Sequence, residues 1–184
     1  MTLIQLFEAK MHYVEVSYNL KIERGKCILI SGENGSGKST LIRLILGFIT
    51  PDQGRVIRKK LKISYLPEQV SLPLFIKVKT YLEGFANMKK TEINWRLVES
   101  FELPIDKSIH ELSKGNLQKL GLILTLIGTS DLLIFDEPLT GLDETMKKIF
   151  INALEEVKKC GIGWVISSHE PHRFSPLVDE HFIL

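Results

Sequence analysis

The segment Gly32–Ser39, which reads GENGSGKS, carries the strongest chemical signal in the sequence. Its glycines let the backbone wrap closely around an anion, and successive N–H groups then point their dipoles at it. Lysine and serine follow the last glycine, and they supply a positive charge and a hydroxyl at one place. An apolar strand is predicted before the segment and a helix after it, so a helix N-terminus also faces the anion. The spacing fits the nucleotide phosphate loop GxxxxGK[ST] in its proper context, which a chance glycine-rich turn does not share.

This loop indicates a nucleotide but not which reaction is performed on it. We predict that Lys38 approaches the β- and γ-phosphates and that Ser39 offers its hydroxyl to Mg²⁺. The residues that we assign to nucleotide binding in this segment are Gly32, Asn34, Gly35, Ser36, Gly37, Lys38, Ser39 and Thr40.

Further polar residues follow two strands that are predicted to be buried. Asp136 and Glu137 come after four consecutive apolar residues in DLLIFDEP, and His169 comes after WVISS. Parallel pairing would bring all three to one edge of the sheet. Asp136 then suits Mg²⁺, Glu137 suits a general base that polarises water, and His169 suits contact with the γ-phosphate or that water. Taken alone, Glu137 is equally well explained as an exposed charge, and His169 is better explained as a structural histidine.

The elements that must position these residues alternate between strand and helix, which predicts an α/β fold. We expect a mainly parallel central sheet flanked by helices, of the P-loop NTPase type, with an N-terminal antiparallel β part. The chain is long enough for one domain with a real core. Within this domain, residues 1–69 and 113–184 form the predicted catalytic core. Residues 70–112 form a predicted inserted α-helical subdomain, because their apolar spacing is mostly helical.

Composition excludes several classes of protein. Net charge is +2, which is too mild for a nucleic-acid partner, and the basic run RVIRKKLK is typical of a solvated strand edge. The two cysteines, Cys27 and Cys160, are far apart, which suits a reduced, cytosolic protein. No signal peptide is predicted from MTLIQLFEAK. The longest apolar run, LGLILTLIG, is far shorter than the roughly 20 residues of a membrane span.

The ordered motifs GENGSGKST, YLPEQ, LSKGN, LLIFDEP, LTGLD and SSH resemble those of the nucleotide-binding domains of ABC transporters. The resemblance covers nearly the whole chain. It implies ATP and Mg²⁺ as ligands and ATP hydrolysis as the activity. It also implies that Gln69, in YLPEQ, reaches Mg²⁺ and the attacking water as a catalytic residue. Without the resemblance, Gln69 is an ordinary polar loop residue.

LSKGN occupies the place of the family's LSGGQ signature. The resemblance implies that Ser113 and Gly115 bind the γ-phosphate held by a second ATPase subunit, in a head-to-tail homodimer or heterodimer that sandwiches two ATP molecules. Asp143, in LTGLD, is implied to contact the same partner. Ser113 and Asp143 are also plausible helix N-caps. Lys114 and Asn116 depart from the signature, without implying inactivation.

The resemblance implies a separate membrane permease as partner, with the protein peripheral on the cytoplasmic face. Docking is expected near residues 69–81, where Leu72, Leu74, Phe75 and Ile76 are apolar, and core packing explains these four equally well. Fifteen residues follow His169, fewer than in import-type members, which favours export. The family's adenine-stacking aromatic has three candidates, Phe7, His12 and Tyr13.

Three alternatives compete with the transport ATPase. A nucleotide-gated adapter with weak turnover is supported by the altered signature alone. A soluble ABC ATPase acting on DNA or ribosomes would need long coiled-coil insertions or tandem cassettes. A small-molecule kinase would not need Gln69, Ser113 and His169 together.

Overall fold

The computed structural model describes residues 1–184 and contains two sheets with helices around them. The strands are β1 Thr2–Lys10, β2 Tyr18–Glu23, β3 Cys27–Ser31, β4 Gln53–Arg58, β5 Ile63–Leu66, β6 Leu132–Asp136, β7 Gly163–Ser167 and β8 Glu180–Ile183. The helices are α1 Lys38–Leu46, α2 Val78–Lys89, α3 Trp95–Ser100, α4 Lys114–Leu126 and α5 Glu144–Lys159, with 3₁₀ turns at Ile109–Glu111 and Pro171–Arg173.

The central sheet has the order β5-β6-β7-β3-β8, and every neighbouring pair in it is parallel. Strands β3, β6 and β7 are buried along their whole length, because helices and the second sheet cover both faces. This explains their continuous apolar sequences. The parallel order also puts the carboxyl ends of these three strands side by side, at the edge where ligands bind in open α/β sheets. The predicted α/β fold is confirmed.

The second sheet is antiparallel, in the order β2-β1-β4. Its apolar side chains pack with helix α1 on one face of the central sheet, where Ile28, Ile134 and Val165 point toward them. The alternate strand residues, among them Leu29 and Phe135, point to the other face, toward α4 and α5. Two apolar cores therefore hold the central sheet from both sides.

Residues 70–112 contain less helix than their apolar spacing predicts. Two α-helices, α2 and α3, and the 3₁₀ turn at Ile109–Glu111 form there, and Lys90 adopts a left-handed conformation that ends α2. Both helices pack their apolar sides on the core that α4 and α5 share, through residues such as Leu82 and Val98. Across the whole chain, no helix combines the length and the apolar character that crossing a membrane requires.

Candidate active site

A cleft of about 320 Å³ opens at the carboxyl edge of the central sheet. It gathers residues of the loop between β3 and α1, Asp136 and Glu137 at the end of β6, and His169, two residues after β7, with further residues from the loops after β1 and β5. Its lining comprises Tyr13, Val14, Asn34, Gly35, Gly37, Lys38, Ser39, Thr40, Glu68, Asp136, Glu137 and His169. Residues far apart in the sequence meet here because β3, β6 and β7 are adjacent and parallel.

The phosphate loop is shaped by glycines that no other residue replaces easily. Gly37 caps α1 with φ near 100°, in the left-handed region, and a Cβ there would lie 2.2 Å from the Tyr18 hydroxyl. Tyr18 is fully buried under the loop and donates its O–H to the Gly37 carbonyl at 3.0 Å. Burial raises the pKa of Tyr18 to about 12, so it remains a neutral donor. We did not identify Tyr18 from the sequence, which shows only an inward strand residue.

Several polar groups in the phosphate loop still have hydrogen-bond donors available for an anion. Lys38 donates from Nζ to the Gly32 carbonyl at 2.9 Å and to the Glu33 carbonyl at 3.0 Å, which leaves one of its three ammonium protons. The Ser36 hydroxyl is buried and has no hydrogen-bond partner. No side chain caps α1, so its first N–H groups are available too. These residues fit a bound triphosphate.

Ser167 joins the two acidic residues at the end of β6. Its hydroxyl donates to Asp136 Oδ1 at 2.5 Å and accepts from the Glu137 N–H at 3.0 Å. Ser167 is fully buried and Asp136 is nearly so. The backbone pairing of Asp136 with Ser167 brings them together. The triplet SSH drew attention to His169, but nothing in the sequence indicates that the first serine bonds the Asp136 carboxylate and the Glu137 backbone.

The residues present also fit Mg²⁺. Ser39 and Asp136 line the cleft with oxygen atoms, which are the ligands that Mg²⁺ prefers. The chain has no group of three His, Cys, Asp or Glu side chains able to hold a metal by themselves. Mg²⁺ would therefore need nucleotide oxygens and water to complete its coordination, as is usual at phosphate sites.

Glu137 is the cleft residue whose backbone conformation and pKa both depart from their ordinary values. Its φ of 48° is unusual for a non-glycine residue and turns the chain sharply after β6. One carboxylate oxygen accepts from the His169 N–H at 3.2 Å. The other, Oε1, lies 3.2 Å from His169 Nε2 without hydrogen-bond alignment and is buried without a donor. Burial raises the pKa of Glu137 above its ordinary value, although the His169 ring, the His169 N–H and Lys38 favour its charged form.

Some residues that we assigned to the site do not line this cleft. Gln69 is exposed in the loop after β5, and its neighbour Glu68 lines the cleft instead. Ser113 caps α4 by accepting the Asn116 N–H at 3.2 Å. Asp143 caps α5 by accepting the Met146 N–H at 2.9 Å. The helix-cap interpretation of both residues is therefore correct, whatever else they contact.

The start of α4 is nevertheless fixed to the loop that carries Glu137. Gln118 is buried and donates to the Pro138 carbonyl at 3.0 Å. Gly115 lies so close to Gly141 that a Cβ on it would be 2.8 Å from the Gly141 carbonyl oxygen. We did not identify Gln118 from the sequence, where the equally polar Lys119 stands beside it.

The structure separates the three candidates for an adenine platform. Tyr13 lines the cleft and is 56% exposed. His12 does not line the cleft but packs its ring at right angles to Tyr13, with centroids 5.1 Å apart. The Phe7 ring lies outside the cleft under the Arg55 guanidinium, 4.8 Å from its centroid. Tyr13 is thus the aromatic in reach of a bound nucleotide.

Comparisons with known proteins agree with this geometry. Residues 16–140 match the family model described as ABC transporter. The chain is 38% identical over 171 residues to the zinc import ATP-binding protein ZnuC of Wigglesworthia glossinidia brevipalpis, covering 88% of this chain and 72% of that protein. It is 32% identical over 181 residues to a putative ABC transporter ATP-binding protein of Methanosarcina acetivorans, covering 88% and 64%. The fold is that of a solved ATP-binding subunit of an ABC transporter, with a TM-score of 0.85 and 24% identity over 100% of this chain and 86% of that one.

Proposed function

Because the chain belongs to the ABC transporter family of ATP-binding proteins, we propose that it is the subunit that hydrolyses ATP to power a separately encoded permease. The observation that carries this proposal is the cleft itself. It places the phosphate loop, Asp136, Glu137 and His169 around one space, and it leaves buried polar atoms without partners.

Within the cleft, the loop residues bind and orient the triphosphate. Lys38 and the N-terminus of α1 neutralise phosphate charge. Ser39 and Asp136 would hold Mg²⁺, which supplies charge neutralisation at the β- and γ-phosphates when bound. Tyr13 stacks on the adenine, which suits its exposed ring and its place in the cleft lining.

Glu137 acts on the attacking water as general base. The orphaned Oε1 is the oxygen available to accept the water's proton, since Oε2 already accepts from His169. The raised pKa moves Glu137 toward a value suited to general-base chemistry near neutral pH. His169, 47% exposed at its side chain and beside Oε1, is placed to contact the γ-phosphate. Gln69 begins outside this cleft, so its catalytic role requires its loop to move inward.

A second ATPase subunit completes each site. Ser113 and Lys114 are exposed, and neither they nor Asp143 line the cleft of their own chain. We propose that Ser113 and Gly115 contact the γ-phosphate held by the partner, and that Asp143 contacts the partner beside it. In a two-fold dimer both copies contribute in the same way, so two ATP molecules are enclosed.

The permease docks on the loop before α2, which places the protein at the cytoplasmic face of the membrane. Phe75 is 88% exposed and Leu74 is 53% exposed, whereas Leu72 and Ile76 pack partly against the core. We therefore propose Leu74 and Phe75 as the apolar docking patch. Core packing explains why Leu72 and Ile76 are apolar.

The comparisons do not support the expectation of export. The relatives whose names give a direction are zinc import proteins. We therefore propose import, with the cargo recognised by the permease.

ATP turnover of the purified chain tests this function against the adapter alternative. Glu137→Gln removes the base while keeping the side-chain shape, so turnover should fall at least about a hundredfold while ATP still binds. Glu155→Gln, on the exposed side of α5, is the matched control and should hydrolyse ATP like the parent. A parent that binds ATP but turns over no faster than Glu137→Gln would instead support the adapter.

A further inference from the structure

The aromatic that faces the nucleotide cleft sits on a short, well-defined turn. The turn follows β1, and the Val14 N–H closes it by donating to the Met11 carbonyl at 3.1 Å. Tyr13 occupies the turn with more than half of its surface exposed. The neighbouring His12 ring meets Tyr13 edge to face, which is a favoured aromatic geometry. The direction of the Tyr13 ring therefore depends on what fixes His12.

Asp52 fixes His12 at two points. Its Oδ2 accepts the His12 backbone N–H at 2.7 Å and lies 2.8 Å from His12 Nδ1, which donates to it when protonated. Asp52 is itself tied to the end of β1, since its N–H donates to the Lys10 carbonyl at 2.9 Å. The His12 N–H, and then the His12 ring, hold the pKa of Asp52 below its usual range, so the carboxylate stays charged.

We infer that Asp52 and His12 are positioning residues for the nucleobase. The Asp52 carboxylate locks the turn and the His12 ring, and the ring holds Tyr13 in the direction that the base stacks against. This inference rests on the proposed function, because it gives Tyr13 a nucleotide to bind. It goes beyond the proposed function because it gives Asp52, in the turn before β4 and about forty residues from Tyr13 in the sequence, a role in positioning the ring that stacks on the base.

Calorimetric titration of the full chain with Mg-ATP and with Mg-tripolyphosphate tests the inference. Both ligands use the phosphate loop, and only ATP uses Tyr13. Asp52→Ala should weaken ATP binding about fivefold to tenfold, because a Tyr13 ring that is no longer held loses part of the stacking contribution of the base. Tripolyphosphate binding should not change. Asp52→Asn keeps an acceptor oxygen for the His12 N–H and should bind ATP within about twofold of the parent.

Two further variants make the test specific. Asp131→Ala is the matched control, because Asp131 also accepts a backbone N–H, from Lys62, and binds Arg24 away from the cleft. It should leave the affinity for both ligands unchanged. Tyr13→Ala should lose ATP affinity, and adding Asp52→Ala to it should cost little more, since both act through one ring.

Each remaining outcome is decisive. An equal loss of ATP and tripolyphosphate affinity in Asp52→Ala would show a general effect on the fold and overturn the inference. Unchanged ATP affinity in Asp52→Ala would overturn it too, while leaving the proposed function standing. A parent chain that binds tripolyphosphate but shows no preference for ATP would instead overturn the proposed role of Tyr13 and the nucleotide assignment behind it.

Discussion

Replacing Ser167 by alanine tests how Asp136 and Glu137, the two acidic residues at the end of β6, are held in the cleft. The Ser167 hydroxyl makes a charge-assisted hydrogen bond to Asp136 at 2.5 Å and accepts the Glu137 N–H at 3.0 Å. Ser167 is 0% exposed, so water cannot replace either bond without opening the sheet. A hydrogen bond to a charged group contributes ~1.5–3 kcal/mol and a neutral one ~1 kcal/mol. The free energy of unfolding should therefore fall by ~2.5–4 kcal/mol.

The adjacent serine supplies the matched control. Ser168 is also buried, and its hydroxyl makes one neutral hydrogen bond, accepting the Glu170 N–H at 3.0 Å. Ser168→Ala should lower the free energy of unfolding by ~1 kcal/mol. Urea unfolding of both variants and the parent, followed by circular dichroism, measures the difference. Ser167→Ala should also reduce the rate of ATP hydrolysis, because the Asp136 carboxylate and the Glu137 backbone lose their common hydrogen-bond partner.

If Ser167→Ala proves no less stable than Ser168→Ala, the short contact with Asp136 does not carry the energy assigned to it. If it is less stable but hydrolyses ATP like the parent, Ser167 supports the sheet and not the active site.

Three other changes give separate tests. Gly37→Ala places a Cβ 2.2 Å from the Tyr18 hydroxyl, at a position with a left-handed backbone. Its ATP affinity, measured by calorimetry, should fall at least about tenfold. Gly84→Ala is the control and should bind ATP like the parent, because nothing lies within 4 Å of a Cβ there. Burial raises the pKa of Glu137, so the folded protein binds the carboxyl proton of Glu137 more tightly than the unfolded chain does. The folded protein therefore loses stability as the pH rises from the ordinary carboxyl pKa to above the raised pKa of Glu137. Glu137→Gln should therefore stabilise the protein at about pH 8 and not below about pH 4 in urea unfolding, and an equal gain at both would exclude this cause. Ser113→Ala should lower hydrolysis with little change in the ATP affinity of the monomer, and cost ~1 kcal/mol of stability through its lost helix cap.

The fold was largely predictable because its decisive features are local. Continuous apolar runs before Asp136 and His169 predicted strands buried on both faces, and parallel order then put these residues at one edge. Residues 70–112 were harder to predict. Helical spacing continues past residue 90, but the left-handed Lys90 ends α2, and the following residues pack on the core without forming a long helix.

The supporting residues of the site could not be predicted. Tyr18, Ser167 and Gln118 act by contacts across the fold, between positions separated by 19, 31 or 20 residues. Their residue types are common inside strands and helices, so the sequence gives no sign of the partner. Glu68 lines the cleft where Gln69 was expected, although both side chains are exposed in the loop after β5, and spacing within an exposed loop does not show which of two neighbours faces the cleft.

The central claim is that ATP binds between two copies of this chain, and that ATP hydrolysis, with Glu137 as general base, lets the two copies separate. Sedimentation of Glu137→Gln with and without Mg-ATP tests it most directly, with Glu137→Gln/Ser113→Ala as the comparison. We predict monomers without nucleotide, and with ATP a dimer that contains two ATP molecules and is weakened by Ser113→Ala. A Glu137→Gln protein that binds ATP tightly but stays monomeric would contradict an ATP site shared between two copies of this chain. A dimer that forms equally well without ATP would contradict the role of the nucleotide.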